Sequence, residues 1–227
     1  MVIVVKHSSF AGQKLINKKM ERKRKISFDS LQMLPPYTFI VTEGSKTEPN
    51  YLNGFAAQIN AKYRNFSQGE LIKVEGVGRN TKNLLEHARK LVEKEMPQAK
   101  NVWIVYDRDD FPSDNFDNAY YSIVSKKDKR KYFAIWSNEC FELWFVLHFQ
   151  EIDADTGRKH LKKLLKKHIG MYEKNMPNIY SLLSDKTKYA IKRAERLYKK
   201  YNKNLPPSKM CPCTMVFELV KELYKYI

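Results

Sequence analysis

The chain has 227 residues, 43% of them hydrophobic and 13% aromatic, which is enough to build the core of one large α/β domain. This composition excludes a globally disordered chain. The longest apolar runs, such as residues 141–149, are far too short to cross a bilayer. Three cysteines without paired spacing argue against a structural zinc site. We therefore expect a cytoplasmic protein that has no membrane partner.

The formal net charge of +17 is concentrated in two blocks of the chain. Residues 1–34 hold eight Lys or Arg against two acids, and residues 156–204 hold fifteen against three. The remaining residues, 35–155 and 205–227, hold nineteen basic side chains against twenty acidic ones. Two basic flanks around a nearly neutral domain indicate binding to the phosphate backbone of nucleic acid. A lysine-rich genome is the simpler alternative, but it explains the total better than the segregation.

In chain order, residues 1–34 are predicted to form a basic, flexible arm that ends before Pro35. Within residues 35–155, short β-branched or aromatic runs then alternate with segments of helical periodicity. The predicted strands are residues 37–42, 71–74, 102–106 and 132–136, with helices at 48–62, 84–92 and about 115–124 between them. This alternation predicts an α/β fold in which right-handed crossovers cover both faces of a parallel sheet.

After residue 137 the pattern becomes helical. Residues 139–148 are almost wholly apolar and predict a buried helix. Residues 156–227 predict a basic helical region, because amphipathic, Lys-rich periods recur at 160–168 and 189–201 before a last helix at 216–226. We therefore predict a domain at residues 35–155 that is followed by a basic C-terminal region.

Three carboxylates follow predicted strands. Glu43 comes directly after the first strand, and Asp107 and Asp109 come after the third. In an open parallel sheet, chemistry lies beyond the carboxyl ends of strands, where the strand order reverses. Asp107 and Asp109 flank Arg108, so an extended backbone would point both the same way. Such a set would hold a hard cation, Mg²⁺ or Mn²⁺, although an ordinary acidic turn also explains the Asp residues alone.

Several segments carry a family resemblance. Residues 39–51, FIVTEGSKTEPNY, are similar to a motif of the RloB-like proteins that usually reads close to CEGEKTEPNYF. Residues 102–111, VWIVYDRDDF, resemble their second motif, and residues 137–149, SNECFELWFVLHF, resemble their third, usually SNPCFELWLLLHF. Residues 78–81, GRNT, match a weaker element. The resemblance covers roughly residues 37–227, and the sequence departs from the usual pattern at Thr42, Ser45 and Glu139.

The resemblance implies a Toprim-like fold, with an invariant Glu after the first strand and an Asp-x-Asp after the third. Carried over to this sequence, these residues are Glu43, Asp107 and Asp109, and no departure from the motifs removes one of them. Family members occur beside ATPases in prokaryotic restriction and abortive-infection loci. Relatives in such systems act as nucleases, with RNA, including tRNA, among their expected substrates.

These observations predict a Mg²⁺-dependent nuclease that cleaves RNA phosphodiesters as an effector of anti-phage defence, with an ATPase as a possible partner. The alternative is a non-catalytic nucleic-acid-binding or sensor subunit of a defence ATPase complex. A nucleotidyl-transfer or topoisomerase role is weaker, because the sequence offers no obvious active-site Tyr or nucleotide-binding loop. The sequence predicts no oligomeric state, and it does not separate RNA from DNA as the substrate.

Further polar residues are candidates for the chemistry. Glu142 and His148 lie in an apolar segment, where each needs a partner, so they either act in catalysis or are satisfied core residues. Lys46 and Arg108 flank the carboxylates and are predicted to meet substrate phosphate or to form local salt bridges. The cations predicted to contact the nucleic-acid backbone further along the chain are Lys162, Lys163, Lys166, Lys167, Lys192, Arg193, Arg196, Lys199 and Lys200.

Overall fold

Five strands form one sheet in the order β2-β1-β3-β4-β5 in the computed structural model, which describes residues 34–78, 83–109 and 112–227. The first four strands are parallel, and β5 pairs antiparallel to β4. The strands are β1 (Thr38–Thr42), β2 (Ile72–Gly76), β3 (Asn101–Asp107), β4 (Lys131–Asn138) and β5 (Cys213–Thr214). The predictions for the arm at 1–33 and for residues 79–81 of the weaker motif fall outside the described residues, as do residues 110 and 111 of the second motif.

Helices connect the strands and follow them. They are α1 (Thr47–Tyr63), α2 (Leu84–Glu95), α3 (Ser113–Val124), α4 (Glu142–Val146), α5 (Gly157–Ile169), α6 (Ile179–Leu183), α7 (Thr187–Lys199) and α8 (Val216–Tyr224). Single 3₁₀ turns lie at Ser184–Lys186 and Pro207–Lys209. The predicted α/β class with a mostly parallel sheet is confirmed. No helix in the described part of the chain is both long and apolar enough to span a membrane.

Both faces of the sheet are covered, because side chains alternate along each buried strand. On one face, Phe39 and Val41 of β1 pack with apolar side chains of α2 and α3. On the other face, Tyr51 of α1 makes edge-to-face ring contacts with Phe141 and Trp144 around α4. The continuous burial of β1 explains why its sequence shows an apolar run instead of alternation.

Some boundaries differ from those that the sequence predicts. The apolar helix predicted at 139–148 is shorter, because regular helix spans only Glu142–Val146 and turns flank it. The two-residue strand β5 was not predicted, because two residues carry no periodicity. Residues 35–227 form one compact unit, in which β5 extends the sheet. The functional division at residues 155 and 156 stays a prediction.

Candidate active site

The strand order reverses between β1 and β3, which places the ends of these two strands side by side. The backbone N–H of Glu43 donates to the carbonyl of Val105 at 2.9 Å, which continues the pairing beyond β1. The Glu43 carboxylate in turn accepts a hydrogen bond from the N–H of Asp107, with 3.4 Å between Oε2 and N. Two acids that are 64 residues apart in the chain therefore meet at the switch point of the sheet.

The two carboxylate oxygens of Asp107 differ in their surroundings. Its Oδ2 accepts the backbone N–H of Phe141 at 2.9 Å. Its Oδ1 is buried and, in the part of the chain that the structure describes, has no hydrogen-bond partner. Burial raises the pKa of Asp107 well above its usual value, and the negative charges of Glu48, Asp109 and Glu142 raise it further. An acid in this setting needs a compensating positive charge to stay ionised.

Glu48 belongs to the same group of carboxylates, although its place in the first turn of a helix is also that of an ordinary acid that the helix dipole stabilises. It is buried in the first turn of α1, and this burial raises its pKa to about 7 with further contributions from Glu142 and Glu43. A Cβ at Gly44 would lie 2.0 Å from Glu48 Oε2, so the carboxylate fits only over a glycine. In the sequence, the sign of this arrangement is the pair Glu43-Gly44, whose glycine lies four residues before Glu48.

Glu142 is the fourth acid of this group, and it is buried beside a basic neighbour. Its Oε1 accepts a hydrogen bond from the Tyr172 hydroxyl at 3.3 Å and lies 3.7 Å from Lys162 Nζ. It begins α4 within the third sequence motif, and its charge raises the pKa of both Glu48 and Asp107. The catalytic interpretation of Glu142 gains support from this position beside the other acids.

Asp109 does not follow the predicted extended geometry. Its φ angle is 45°, so the chain has left the strand conformation and the assumption of an extended backbone through Asp109 is wrong; its role as a metal ligand stays a prediction. The exposed Asp109 carboxylate is paired with Arg158 at 3.0 Å. Arg158, which the sequence reading did not select, lies one helical turn before Lys162 on α5. The two cations therefore face the acidic group from the same side of that helix.

Comparison with known proteins bears directly on this arrangement. The sequence model of RloB-like proteins matches residues 38–223, from the first residue of β1 to within α8. The chain belongs to the RloB-like family. No curated protein and no solved structure matches it.

The chemistry of the donors in this RloB-like protein fits a hard divalent cation. Glu43, Glu48, Asp107 and Glu142 offer oxygen ligands only, and Asp107 Oδ1, which has no hydrogen-bond partner in the described part of the chain, is an available ligand atom. Within the described ranges, however, no three His, Cys, Asp or Glu side chains are already arranged as a metal-binding set. Binding would therefore need rotation of these side chains.

His148 is hydrogen-bonded inside the core of this RloB-like protein. Its Nδ1 lies 3.0 Å from the carbonyl oxygen of Trp144, which only accepts, so Nδ1 carries the proton. Its Nε2 then accepts from the Tyr51 hydroxyl at 3.3 Å. Both ring nitrogens are used inside the core and the ring is buried, so the catalytic interpretation of His148 is corrected. Lys46 is exposed and directly precedes α1, where its role as a phosphate contact stays a prediction.

Two predicted nucleic-acid contacts bind the RloB-like fold itself. Arg108 lies within hydrogen-bond distance of Asn138, Ser113 and the carbonyl of Ser208. Arg193 donates to the carbonyl oxygens of Leu147 and His148 at 2.8 and 2.9 Å. The assignment of these two guanidinium groups to a nucleic-acid backbone is corrected, because each guanidinium closes an internal network.

The remaining predicted cations lie on α5, on α7 and just after α7. Lys162 faces Glu142, Arg196 pairs with Glu151 at 2.7 Å, and Lys200 pairs with Asp153. The side chains that are exposed without any of these pairings are Lys163, Lys166, Lys167, Lys192 and Lys199. These five lysines stay the predicted backbone contacts.

Proposed function

We propose that this RloB-like protein is a Mg²⁺- or Mn²⁺-dependent nuclease that acts in the cytoplasm as an effector of anti-phage defence. One observation carries the proposal: carboxylates from three separate chain segments, at residues 43–48, at Asp107 and at Glu142, converge beyond β1 and β3, and a buried oxygen of Asp107 has no hydrogen-bond partner among the described residues. Evolution rarely retains such mutual repulsion in a core for stability alone, because perturbed acids cluster at functional sites. The Toprim-like assignment and the ATPase partner belong to the same proposal through the family resemblance.

Different residues of the chain would hold the cation and orient the phosphate. Glu43 and Asp107 would hold the cation, and Glu48 and Glu142, whose charges raise the pKa of Asp107, would complete or support its ligand set after side-chain rotation. A bound divalent cation supplies charge stabilisation at the scissile phosphate and lowers the pKa of water. Arg158 and Lys162 border the acids from α5 and would orient the phosphate.

The exposed lysines of α5 and α7 extend this surface. Lys163, Lys166, Lys167, Lys192 and Lys199 are suited to phosphate contacts, which give affinity without sequence choice. RNA, tRNA included, is the proposed substrate, and DNA is the competing one. Each phosphate that a lysine neutralises should release close to one counterion, so the binding constant should fall more steeply with salt concentration for each such contact.

The test is cleavage of total tRNA, single-stranded DNA and duplex DNA by the purified full chain, with Mg²⁺ and with EDTA. We expect RNA cleavage with Mg²⁺ only. Asp107→Asn should reduce turnover about 1,000-fold or more, since several kcal/mol of transition-state stabilisation depend on the cation. Asp114→Asn, an exposed acid of α3, is the matched control and should cleave like the parent.

Measurements of tRNA binding and of manganese binding separate this proposal from its alternative. A non-catalytic binder or sensor would bind tRNA equally well with EDTA, would cleave none of the substrates, and would be unaffected by Asp107→Asn. Manganese affinity, followed by electron paramagnetic resonance, gives a readout that does not require turnover. We expect Asp107→Asn to lower that affinity at least tenfold; an unchanged affinity would refute the cation site.

A further inference from the structure

Two stacked rings lie at the surface where the chain leaves α4. The imidazole of His168 stacks on the half-buried ring of Phe149, with 4.7 Å between the centroids and 4° between the planes. His168 Nε2 lies 2.9 Å from the side-chain amide oxygen of Gln150, which fixes the orientation of the imidazole. His168 is exposed although Phe149 covers one face of its ring, so the opposite face is open to solvent in the described part of the chain. That face can accept a further flat ring.

Tyr189 of α7 offers a second ring face close to this pair. The residue is 59% exposed, and the guanidinium of Arg193 lies 5.7 Å from its ring centroid, over one face. Arg193 is itself fixed by its bonds to the carbonyls of Leu147 and His148, and His148 directly precedes the stacked Phe149. The Tyr189 ring therefore rests on an anchored cation, and among the described residues its other face is open.

The two rings are a short distance from the acidic cluster. The chain from Glu142 to Gln150 runs beside α5, because Lys162 lies 3.7 Å from Glu142 and His168 lies 2.9 Å from Gln150. The six residues from Lys162 to His168 rise about 9 Å along the helix axis. Roughly three nucleotides of a stacked strand cover this distance. A strand with one phosphate at the acidic cluster would therefore reach the rings.

The charge around the rings favours an anionic ligand. Two acids of this region, Asp185 and Glu151, are paired with Lys186 at 2.8 Å and with Arg196 at 2.7 Å. Lys186 also lies over the Phe149 ring, 5.8 Å from its centroid. The exposed lysines next to His168 and one turn after Tyr189 are Lys166, Lys167 and Lys192. Open ring faces between lysines match a polymer that carries both phosphates and flat bases.

We propose that His168 and Tyr189 form a stacking platform for unpaired nucleobases of a single-stranded RNA whose backbone lies at the acidic cluster. The platform presupposes the nucleic-acid ligand of the proposed function, but it does not require cleavage. Every base has a π face, so the platform accepts any sequence, whereas a duplex hides these faces between its base pairs. The substrate is therefore an unpaired segment, such as a loop or an end.

The experiment measures the binding of fluorescein-labelled oligoadenylate RNA, about twelve nucleotides long, to the full chain in EDTA by fluorescence anisotropy. An abasic oligomer of equal length keeps the phosphates but lacks the rings, and we expect it to bind about tenfold more weakly or worse. Tyr189→Ala and His168→Ala should each weaken the binding of oligoadenylate at least fivefold, which is about 1 kcal/mol, and should leave the binding of the abasic oligomer unchanged.

Three further variants separate stacking from charge and from general damage. Tyr189→Trp keeps a ring and should retain the affinity for oligoadenylate. Lys192→Gln removes a phosphate contact and should weaken the binding of both oligomers equally. The matched control, Tyr121→Ala, removes a tyrosine of α3 that is 50% exposed and should bind like the parent.

Equal binding of oligoadenylate and of the abasic oligomer would leave phosphate contacts alone and would overturn the platform. This comparison uses the parent chain, so it holds even if a variant does not fold. An equal effect of Tyr189→Ala on single-stranded and duplex RNA would exclude unpaired bases as the ligand, and a gain from bases in oligodeoxyadenylate alone would exclude RNA. If oligoadenylate binds through Tyr189 but Mg²⁺ supports no cleavage of any nucleic acid, the platform stands and the proposed nuclease is refuted.

Discussion

The buried histidine of the third motif predicts how the stability of the fold depends on pH. Burial lowers the pKa of His148 to about 4, from its usual 6.5, and the charge of Arg193 acts in the same direction. Between these two values the unfolded chain binds a proton that the folded chain does not. Stability is therefore fully present above pH 6.5 and declines as the pH falls towards 4.

The size of this loss of stability follows from the shift in the pKa of His148. A difference of about 2.5 pKa units corresponds to roughly 3 kcal/mol of unfolding free energy, of which about 2 kcal/mol is lost between pH 7.5 and pH 5. That loss is a large fraction of the 5–15 kcal/mol that is typical of a domain. His148→Gln keeps a donor for Trp144 and an acceptor for Tyr51 but cannot titrate.

Urea unfolding at pH 7.5 and at pH 5 measures the loss of stability in the parent, in His148→Gln and in a control variant, His160→Gln. Other groups titrate over this range as well, so the informative quantity is the difference between proteins. We expect His148→Gln to lose about 2 kcal/mol less than the parent on acidification. His160→Gln, which replaces an exposed histidine of α5, should behave like the parent. If parent and His148→Gln lose equal stability, the neutral buried imidazole is not the cause and the argument fails.

Three further substitutions test the packing. Gly44→Ala places a Cβ 2.0 Å from Glu48 Oε2, so we expect metal-dependent cleavage to fall at least tenfold while urea unfolding changes little. Gly54→Ala places a Cβ 1.9 Å from Tyr180 Cγ, and the clash should outweigh the gain in helix propensity and cost about 1–3 kcal/mol in urea unfolding. An equal or higher stability of that variant would contradict the close contact. Arg130→Met should cost about 2–3 kcal/mol, because buried Arg130 bonds a carboxylate and two backbone carbonyls; a thermal midpoint equal to the parent's would contradict this.

The sequence predicts the sheet well because its signals are local. Runs such as residues 102–106 are apolar and β-branched, and acids or glycines end them, so each strand is visible without its neighbours. The position of Glu43 beside Asp107 also follows from strand alternation and the rule for parallel sheets. What remained hidden was the backbone of Asp109, because a single left-handed residue has no periodic signature.

Roles that depend on tertiary partners were harder to predict. Glu48 has the sequence position of a common first-turn acid, and its burial beside Gly44 becomes visible only in the folded chain. Arg108 and Arg193 look like surface cations in a basic sequence, yet each binds backbone carbonyls of the fold. Charge alone does not separate an arginine that meets solvent from one that closes an internal network.

The acidic cluster draws on distant parts of the chain, and this has a consequence for biosynthesis. Asp107 needs the N–H of Phe141, and Glu142 needs Tyr172 on the segment after α5. A nascent chain whose Tyr172 is still inside the ribosome therefore lacks one of these contacts. For the proposed nuclease, a complete acidic cluster would therefore form only after most of the polypeptide has emerged.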